Sequence, residues 1–85
     1  MSELEKLKER LKSLPRDFTY NEAKTLLTKL GFQESNKGKT SGSRVKFHRN
    51  EDDIMFHKPH PTNILKREAV KYLLRELTES GDIEE

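Results

Sequence analysis

The sequence contains no cysteine, and this absence excludes both a disulfide-stabilised scaffold and a zinc site built on thiolates. Hydrophobic residues are also scarce, at 31% of the chain against 38% charged residues, so the core has to come from a few well-spaced apolar positions. No apolar run approaches the roughly 18 residues of a membrane span, and the polar start of the chain does not resemble a signal peptide. We therefore expect a cytoplasmic protein without a membrane segment.

The length of 85 residues predicts a single domain over residues 1–85. A chain of this size buries only about 60% of the surface of its unfolded form, so an active site has to lie on the surface rather than in a deep cleft. The sequence also lacks a P-loop, a dinucleotide-binding fingerprint and a nucleophile elbow, and we expect no cofactor. His57 and His60 are three residues apart in a predicted turn, the chain has no cysteine, and the nearest acidic residues lie in the hairpin turn, so we expect no metal site.

Charge is distributed unevenly along the chain, and its distribution says more than the net charge of +2. Residues 35–67 contain eight Lys or Arg and three acidic residues, which gives +5, and all three histidines lie there. The rest of the chain contains nine basic and twelve acidic residues, which gives −3. A basic centre between acidic ends is typical of a phosphate-binding surface, although composition alone leaves a solvated charged surface as the alternative.

Three segments space their apolar residues as helices do. The first, residues 2–14, begins with a capping box and ends before a proline. The second, residues 20–30, also follows a capping box and ends at a glycine suited to a left-handed C-cap. The third, residues 65–80, is followed by another glycine, and we interpret residues 82–85 as a frayed acidic tail.

Between the second and third helices, the spacing predicts strands over residues 32–36, 43–49 and 53–58. The two longer strands alternate around a polar turn, and their apolar residues share one face: Val45, Phe47, Ile54 and Phe56. The order of elements predicts an α+β fold in which two helices cover one face of a small antiparallel sheet and leave the other face open.

The parity of this hairpin restricts which residues lie opposite one another. Paired residues share a face, so Val45 and Phe47, which have odd numbers, must pair in register with Ile54 and Phe56, which have even numbers. The two residue numbers of every pair therefore add up to an odd value, and the position of the turn leaves 101 or 103 as that sum. In either register, His57 lies among Arg44, Lys46 and His48 on the face away from the apolar residues.

Several short motifs follow one another from residue 19 onward. They are Leu27-Thr28-Lys29-Leu30-Gly31-Phe32, a Lys/Gly loop that ends in Gly42-Ser43, Phe47 four residues later, His57-Lys58-Pro59-His60-Pro61, and Leu65-Lys66. In this order and spacing they resemble the HicA family, the toxins of bacterial and archaeal toxin–antitoxin pairs. The resemblance covers residues 19–81, roughly three quarters of the chain, and the helix of residues 2–14 is extra relative to the shortest members.

The resemblance implies a fold like that of double-stranded-RNA-binding domains and a metal-independent ribonuclease that cleaves messenger RNA. It also implies a partner antitoxin of the HicB kind that covers the active face. The family's loop usually reads Gly-Ser-His, and that histidine is catalytic. Here Arg44 stands at that position, and arginine cannot act as a general base near neutral pH. Another group has to serve as the base, or the chain only binds RNA.

RNA cleavage by the neighbouring 2′-hydroxyl needs a base, an acid and a cation for the charge that develops on phosphate. We expect His57 or His60 to be the base, because histidine transfers protons near neutral pH, and Arg44 to clamp the phosphate. His48 lies nearer the turn, and we expect no catalytic role for it. The predicted RNA-binding residues are Lys37, Lys39, Ser43, Lys46 and Lys58.

Two other functions fit the same residues. A basic face is sufficient for an RNA-binding module that recognises RNA shape and does not cleave. The leucine stripe in residues 4–14 is instead suited to a protein-interaction domain whose contacts need no RNA. In both cases His57 is simply a polar residue on an open sheet face.

Overall fold

The computed structural model describes residues 2–35, 44–59 and 62–84. Its elements are, in chain order, α1 (Glu3–Lys12), α2 (Tyr20–Lys29), β1 (Gln33–Ser35), β2 (Arg44–Arg49), β3 (Asp52–His57) and α3 (Arg67–Glu79). Three helices and one three-stranded antiparallel sheet confirm the predicted α+β fold of the double-stranded-RNA-binding kind. Within the described ranges, no helix combines the length and the apolar character needed to cross a membrane.

The extra N-terminal helix, α1, is part of the packed core. Its first turn is capped by Ser2, whose hydroxyl accepts a hydrogen bond from the N–H of Glu5. The helix ends earlier than predicted, since Leu14 precedes a proline and adopts a left-handed backbone with a φ of 51°. Leu7 and Leu11 are buried, and the helix packs against both α2 and α3.

The second helix begins with the capping box that the sequence predicts. The Thr19 hydroxyl accepts a hydrogen bond from the N–H of Glu22, and the Glu22 carboxylate accepts one from the N–H of Thr19. Arg10 of α1 donates to the same carboxylate and to Asp17, so a single guanidinium joins the two helices. Burial raises the pKa of Glu22, but the hydrogen bonds from Arg10 and Thr19 outweigh it and lower that pKa overall.

The sheet has the order β1-β2-β3, and both strand pairs are antiparallel. In the hairpin Val45 lies opposite Phe56 and Phe47 opposite Ile54, so the paired numbers sum to 101, one of the two predicted registers. A two-residue turn at Asn50 and Glu51 fixes this register, because Asn50 adopts a left-handed φ of 52° that asparagine tolerates.

Helices α2 and α3 contact the sheet on its apolar side, as predicted, and α1 packs against these two helices. Phe47 is fully buried there, and its ring stacks on that of Phe56 with centroids 5.9 Å apart. The helices add apolar side chains to the same cluster: Leu7, Leu11, Ala23, Leu26, Leu27, Val70, Leu73 and Leu77. The opposite face of the sheet, in the strands that the structure describes, is formed by exposed or half-buried side chains.

The third helix begins later than predicted because of a contact between two connecting segments. The N–H of Leu65 donates to the carbonyl of Phe18, and the N–H of Tyr20 donates to the carbonyl of Asn63, each at 2.8 Å. This short antiparallel bridge pairs Thr19 with Ile64 and leaves Leu65 before α3, with its side chain only 3% exposed. Lys66 then has the extended backbone of an N-cap residue.

The interpretation of the C-terminal segment as frayed is wrong for Asp82 and Ile83. Ile83 is buried in the core cluster, and the Asp82 carboxylate accepts hydrogen bonds of 2.7 and 3.0 Å from the guanidinium of Arg49. The same guanidinium donates to the carbonyl of Leu30 and lies 4.3 Å from the centroid of the Phe32 ring. Arg49 therefore joins the end of β2 to the ends of α2 and α3.

Candidate nucleic-acid interface

The functional side chains of β2 and β3 gather on the face of the sheet that points away from the helices. We call this surface the open face; it consists of Arg44, Lys46 and His48 on β2 and Asp53, Met55 and His57 on β3. The strand pairing arranges them in three cross-strand pairs: Arg44 with His57, Lys46 with Met55, and His48 with Asp53. Two permanent cations and two imidazoles thus share one small surface with the carboxylate of Asp53.

The end of the open face farthest from the turn carries Arg44 and His57. These residues lie directly opposite one another, which confirms their predicted proximity, and both are exposed. Opposed residues in an antiparallel pair have Cβ atoms about 4.5–5.5 Å apart, so one phosphate can contact both side chains. The catalytic roles predicted for them remain predictions.

The other end of the open face carries an imidazole–carboxylate pair. Nδ1 of His48 lies 2.5 Å from Oδ1 of Asp53, and Nζ of Lys46 lies 3.9 Å from the other oxygen of that carboxylate. The hydrogen bond from His48, supported by the charge of Lys46, holds the pKa of Asp53 below its usual value. Sequence reasoning gave His48 no role, although the register of 101 already places it opposite Asp53.

Lys58 does not belong to the open face. It follows β3 at a position that alternates with His57, and its ammonium group lies 5.2 Å from the centroid of the Tyr20 ring, on the helix side of the sheet. The Tyr20 hydroxyl donates to Glu34, and burial together with that carboxylate raises the pKa of Tyr20 to about 12. A contact between Lys58 and RNA therefore requires RNA that reaches around the edge of the sheet.

A groove that the sequence did not predict runs beside the edge of β3 that faces away from β2. It has a volume of about 530 Å³ and lies between His57, Lys58 and the start of α3, where Lys66 and Tyr72 line it. The Tyr72 hydroxyl accepts a hydrogen bond of 3.3 Å from the backbone N–H of Met55. The only signal in the sequence was an aromatic residue on the helix that follows the sheet, which has no specific meaning alone.

Four of the predicted site residues lie outside the described residues: Lys37, Lys39, Ser43 and His60. Their predicted roles therefore stay predictions. In residues 2–35, 44–59 and 62–84, no three His, Asp or Glu side chains form a group that could hold a metal ion.

The described open face combines two chemical abilities. Arg44 and Lys46 supply fixed positive charge for phosphate oxygens, and guanidinium groups bind such oxygens in bidentate fashion. The two imidazoles supply groups that transfer protons near neutral pH. A surface of this kind can bind a polyanion and, with correct positioning, move protons at a phosphodiester.

Comparison with known proteins gives one informative result. A protein-family profile described as the HicA toxin of bacterial toxin–antitoxin systems matches residues 20–78, which is more than half of the chain. Searches of curated proteins and of solved structures found no significant match. The matched segment begins at α2, contains the whole sheet and ends within the last turn of α3, so α1 lies outside it. This chain therefore belongs to the HicA toxin family.

Proposed function

We propose that this protein is an endoribonuclease toxin that binds messenger RNA across the open face and cleaves it without a metal ion. One observation carries the proposal. In a chain that belongs to the HicA toxin family, the strand register gathers Arg44, Lys46 and two histidines on the sheet face that points away from the helices. Because messenger RNA is its substrate, the protein acts in the cytoplasm.

Arg44 and Lys46 bind phosphates of the RNA backbone in this proposal. Each cation that neutralises a phosphate releases condensed counterions, so affinity falls as salt rises. Lys37, Lys39 and Ser43, which precede β2 in the sequence, add further phosphate contacts in this proposal, and Lys58 extends the contact around the sheet edge. The groove between His57 and Tyr72 gives room for a nucleotide beside His57.

His57 is the base in the proposed reaction, with His60 as the alternative base. The base takes the proton of a 2′-hydroxyl, whose oxygen then attacks the adjacent phosphorus. Arg44, directly opposite His57, stabilises the negative charge that develops on the phosphate oxygens. This arrangement assigns Arg44 a phosphate-binding role at the position where the family usually has its catalytic histidine.

The HicA family provides the toxin of a toxin–antitoxin pair, so an antitoxin partner is part of the proposal. We propose that a HicB-like antitoxin with an acidic surface covers Arg44, Lys46 and His57 and blocks access of RNA. Charge complementarity would favour this face, since opposite charges steer association and fix orientation. Coexpression should abolish toxicity, and growth arrest that persists despite a stable complex would show that the antitoxin covers another surface.

A second candidate function is RNA binding without cleavage. The observation in its favour is Arg44 itself, which binds phosphate well but cannot take a proton at neutral pH. A protein of this kind would keep the salt-dependent affinity of the open face and regulate RNA or its antitoxin by binding alone.

Cleavage of a labelled messenger RNA by the purified protein, in excess chelator, distinguishes the two functions. We expect the wild type to cleave, His57→Ala to be slower by about 10²–10⁴-fold, and Arg44→Ala to lose both affinity and rate. Lys71→Ala, which removes an exposed cation from α3, is the matched control and should behave as the wild type.

RNA binding measured at low and raised salt completes the test. Salt-dependent binding without cleavage by the wild type would establish the binding function instead. An affinity that does not change with salt, or that falls equally in Arg44→Ala and Lys71→Ala, would contradict the assignment of the open face.

A further inference from the structure

The two histidines of the open face lie at its opposite corners, with Lys46 between them. His57 pairs with Arg44 at one end of the hairpin, and His48 pairs with Asp53 beside the turn. Measured along the strands, His57 and His48 each lie two residues away from the pair of Lys46 and Met55. This separation is roughly 7 Å at about 3.3 Å per residue. A phosphate held above Lys46 therefore has one imidazole on each side.

Asp53 positions the ring of His48. Because Nδ1 of His48 is hydrogen-bonded to the Asp53 carboxylate, Nε2 is the nitrogen that remains for a ligand. Catalytic imidazoles are commonly oriented in this way by a third group. Both side chains are about half exposed, so RNA on the open face can reach them.

The neighbouring residues distinguish the two histidines. His48 is hydrogen-bonded through Nδ1 to the carboxylate of Asp53, which holds its ring in place to donate from Nε2. His57 lies opposite Arg44, and its role is that of the proton acceptor. Lys46 lies between the two histidines along β2, and its ammonium group is 3.9 Å from the Asp53 carboxylate.

We infer that His48, positioned by Asp53, is the general acid of RNA cleavage on the open face. The inference rests on the proposed ribonuclease function and adds the group that protonates the leaving oxygen. His57 takes the proton of the 2′-hydroxyl, the 2′-oxygen forms a bond to phosphorus, and the bond between phosphorus and the 5′-oxygen breaks. His48 gives its Nε2 proton to that 5′-oxygen.

The products of this step are a 2′,3′-cyclic phosphate and a 5′-hydroxyl end. His57 ends as a cation and His48 as a neutral imidazole, and exchange of one proton each with water restores both. Asp53 takes no proton in the reaction; it is a positioning residue that acts through His48.

Changing the leaving group of the RNA tests the general acid separately from the base. The rate of cleavage is measured on two matched RNAs, one with an ordinary phosphodiester and one with sulfur in place of the bridging 5′-oxygen at the cleaved bond. A thiol has a pKa of about 8.5, so the thiolate departs without being protonated and needs no general acid. The variants are His48→Ala, Asp53→Asn and His57→Ala. Gln33→Ala, opposite His48 on β1, is the matched control.

We expect His48→Ala to cleave the ordinary RNA about 10²–10⁴-fold more slowly than the wild type and the sulfur-containing RNA at nearly the wild-type rate. Asp53→Asn should show a smaller loss that the sulfur substrate also restores. His57→Ala should be slow on both substrates, and Gln33→Ala should be unaffected. Thermal unfolding of each variant shows whether the fold is retained.

Two results with an active wild type would overturn the inference alone: full activity of His48→Ala on the ordinary RNA, or an equal loss on both substrates. A wild type that cleaves neither RNA above the rate without protein would overturn the ribonuclease proposal and the inference together.

Discussion

Replacing Arg49 with alanine should destabilise the fold by about 2–3 kcal/mol. Its guanidinium donates to the Asp82 carboxylate and to the Leu30 carbonyl and lies over the Phe32 ring. Hydrogen bonds to charged groups contribute about 1.5–3 kcal/mol, and a cation–π contact adds about 0.5–1 kcal/mol at an exposed site. We take a value below the sum, since Arg49 and Asp82 each keep 18% of their side-chain surface exposed and water replaces part of the interaction.

Urea denaturation followed by circular dichroism measures this loss as a change in the free energy of unfolding. Arg75→Ala is the matched control, because Arg75 and Glu79 form an exposed ion pair on α3 that should contribute almost nothing. Adding Asp82→Asn to Arg49→Ala should cost less than the sum of the single losses, since the two residues share one interaction. If Arg49→Ala is as stable as Arg75→Ala, Arg49 does not join the ends of these elements.

Three further predictions concern the core, pH and the family's catalytic position. Leu11 is fully buried although α1 lies outside the family match, so Leu11→Ala should lower the free energy of unfolding by about 2–5 kcal/mol. Urea denaturation measures this loss, and a negligible loss would show that the fold does not depend on α1. Hydrogen bonds from Arg49 lower the pKa of Asp82 in the folded state, so its contribution is present above the unfolded pKa of about 3.9 and is lost as pH falls through the lower folded value. Asp82→Asn should therefore flatten the fall in stability between pH 7 and pH 3, and an unchanged profile would contradict this. Arg44→His should raise the cleavage rate by restoring the family's histidine; if only this variant cleaves, the wild type is a binding protein.

The helices, the hairpin strands and the composition of the open face could be predicted because each depends on residues that are close together in the sequence. The Thr19 capping box and the glycine after α2 mark that helix, and period-two alternation marks both strands of the hairpin. Parity alone places His57 on the same face as Arg44, whichever of the two registers forms. The choice between the two registers depended on the backbone of Asn50, and that choice is what brings His48 to Asp53.

The contacts that strand alternation and helix caps do not predict are those between residues far apart in the chain. Arg49 and Asp82 are 33 residues apart, and the sequence around either residue does not indicate that the other is its partner. The bridge between Thr19 and Ile64 likewise delays the start of α3 through a contact between two connecting segments. Such pairings depend on how the elements pack, so tertiary structure decides them and not propensity.

The most direct test of the central claim is where RNA binds, measured by NMR with an RNA that carries 2′-O-methyl groups and so cannot be cleaved. We predict that titration will shift the signals of Arg44, Lys46, His48 and His57 on the open face and leave the exposed surfaces of α1 and α3, such as Glu9 and Lys71, unchanged. Shifts confined to α1 or α3, with the open face unaffected, would contradict the account.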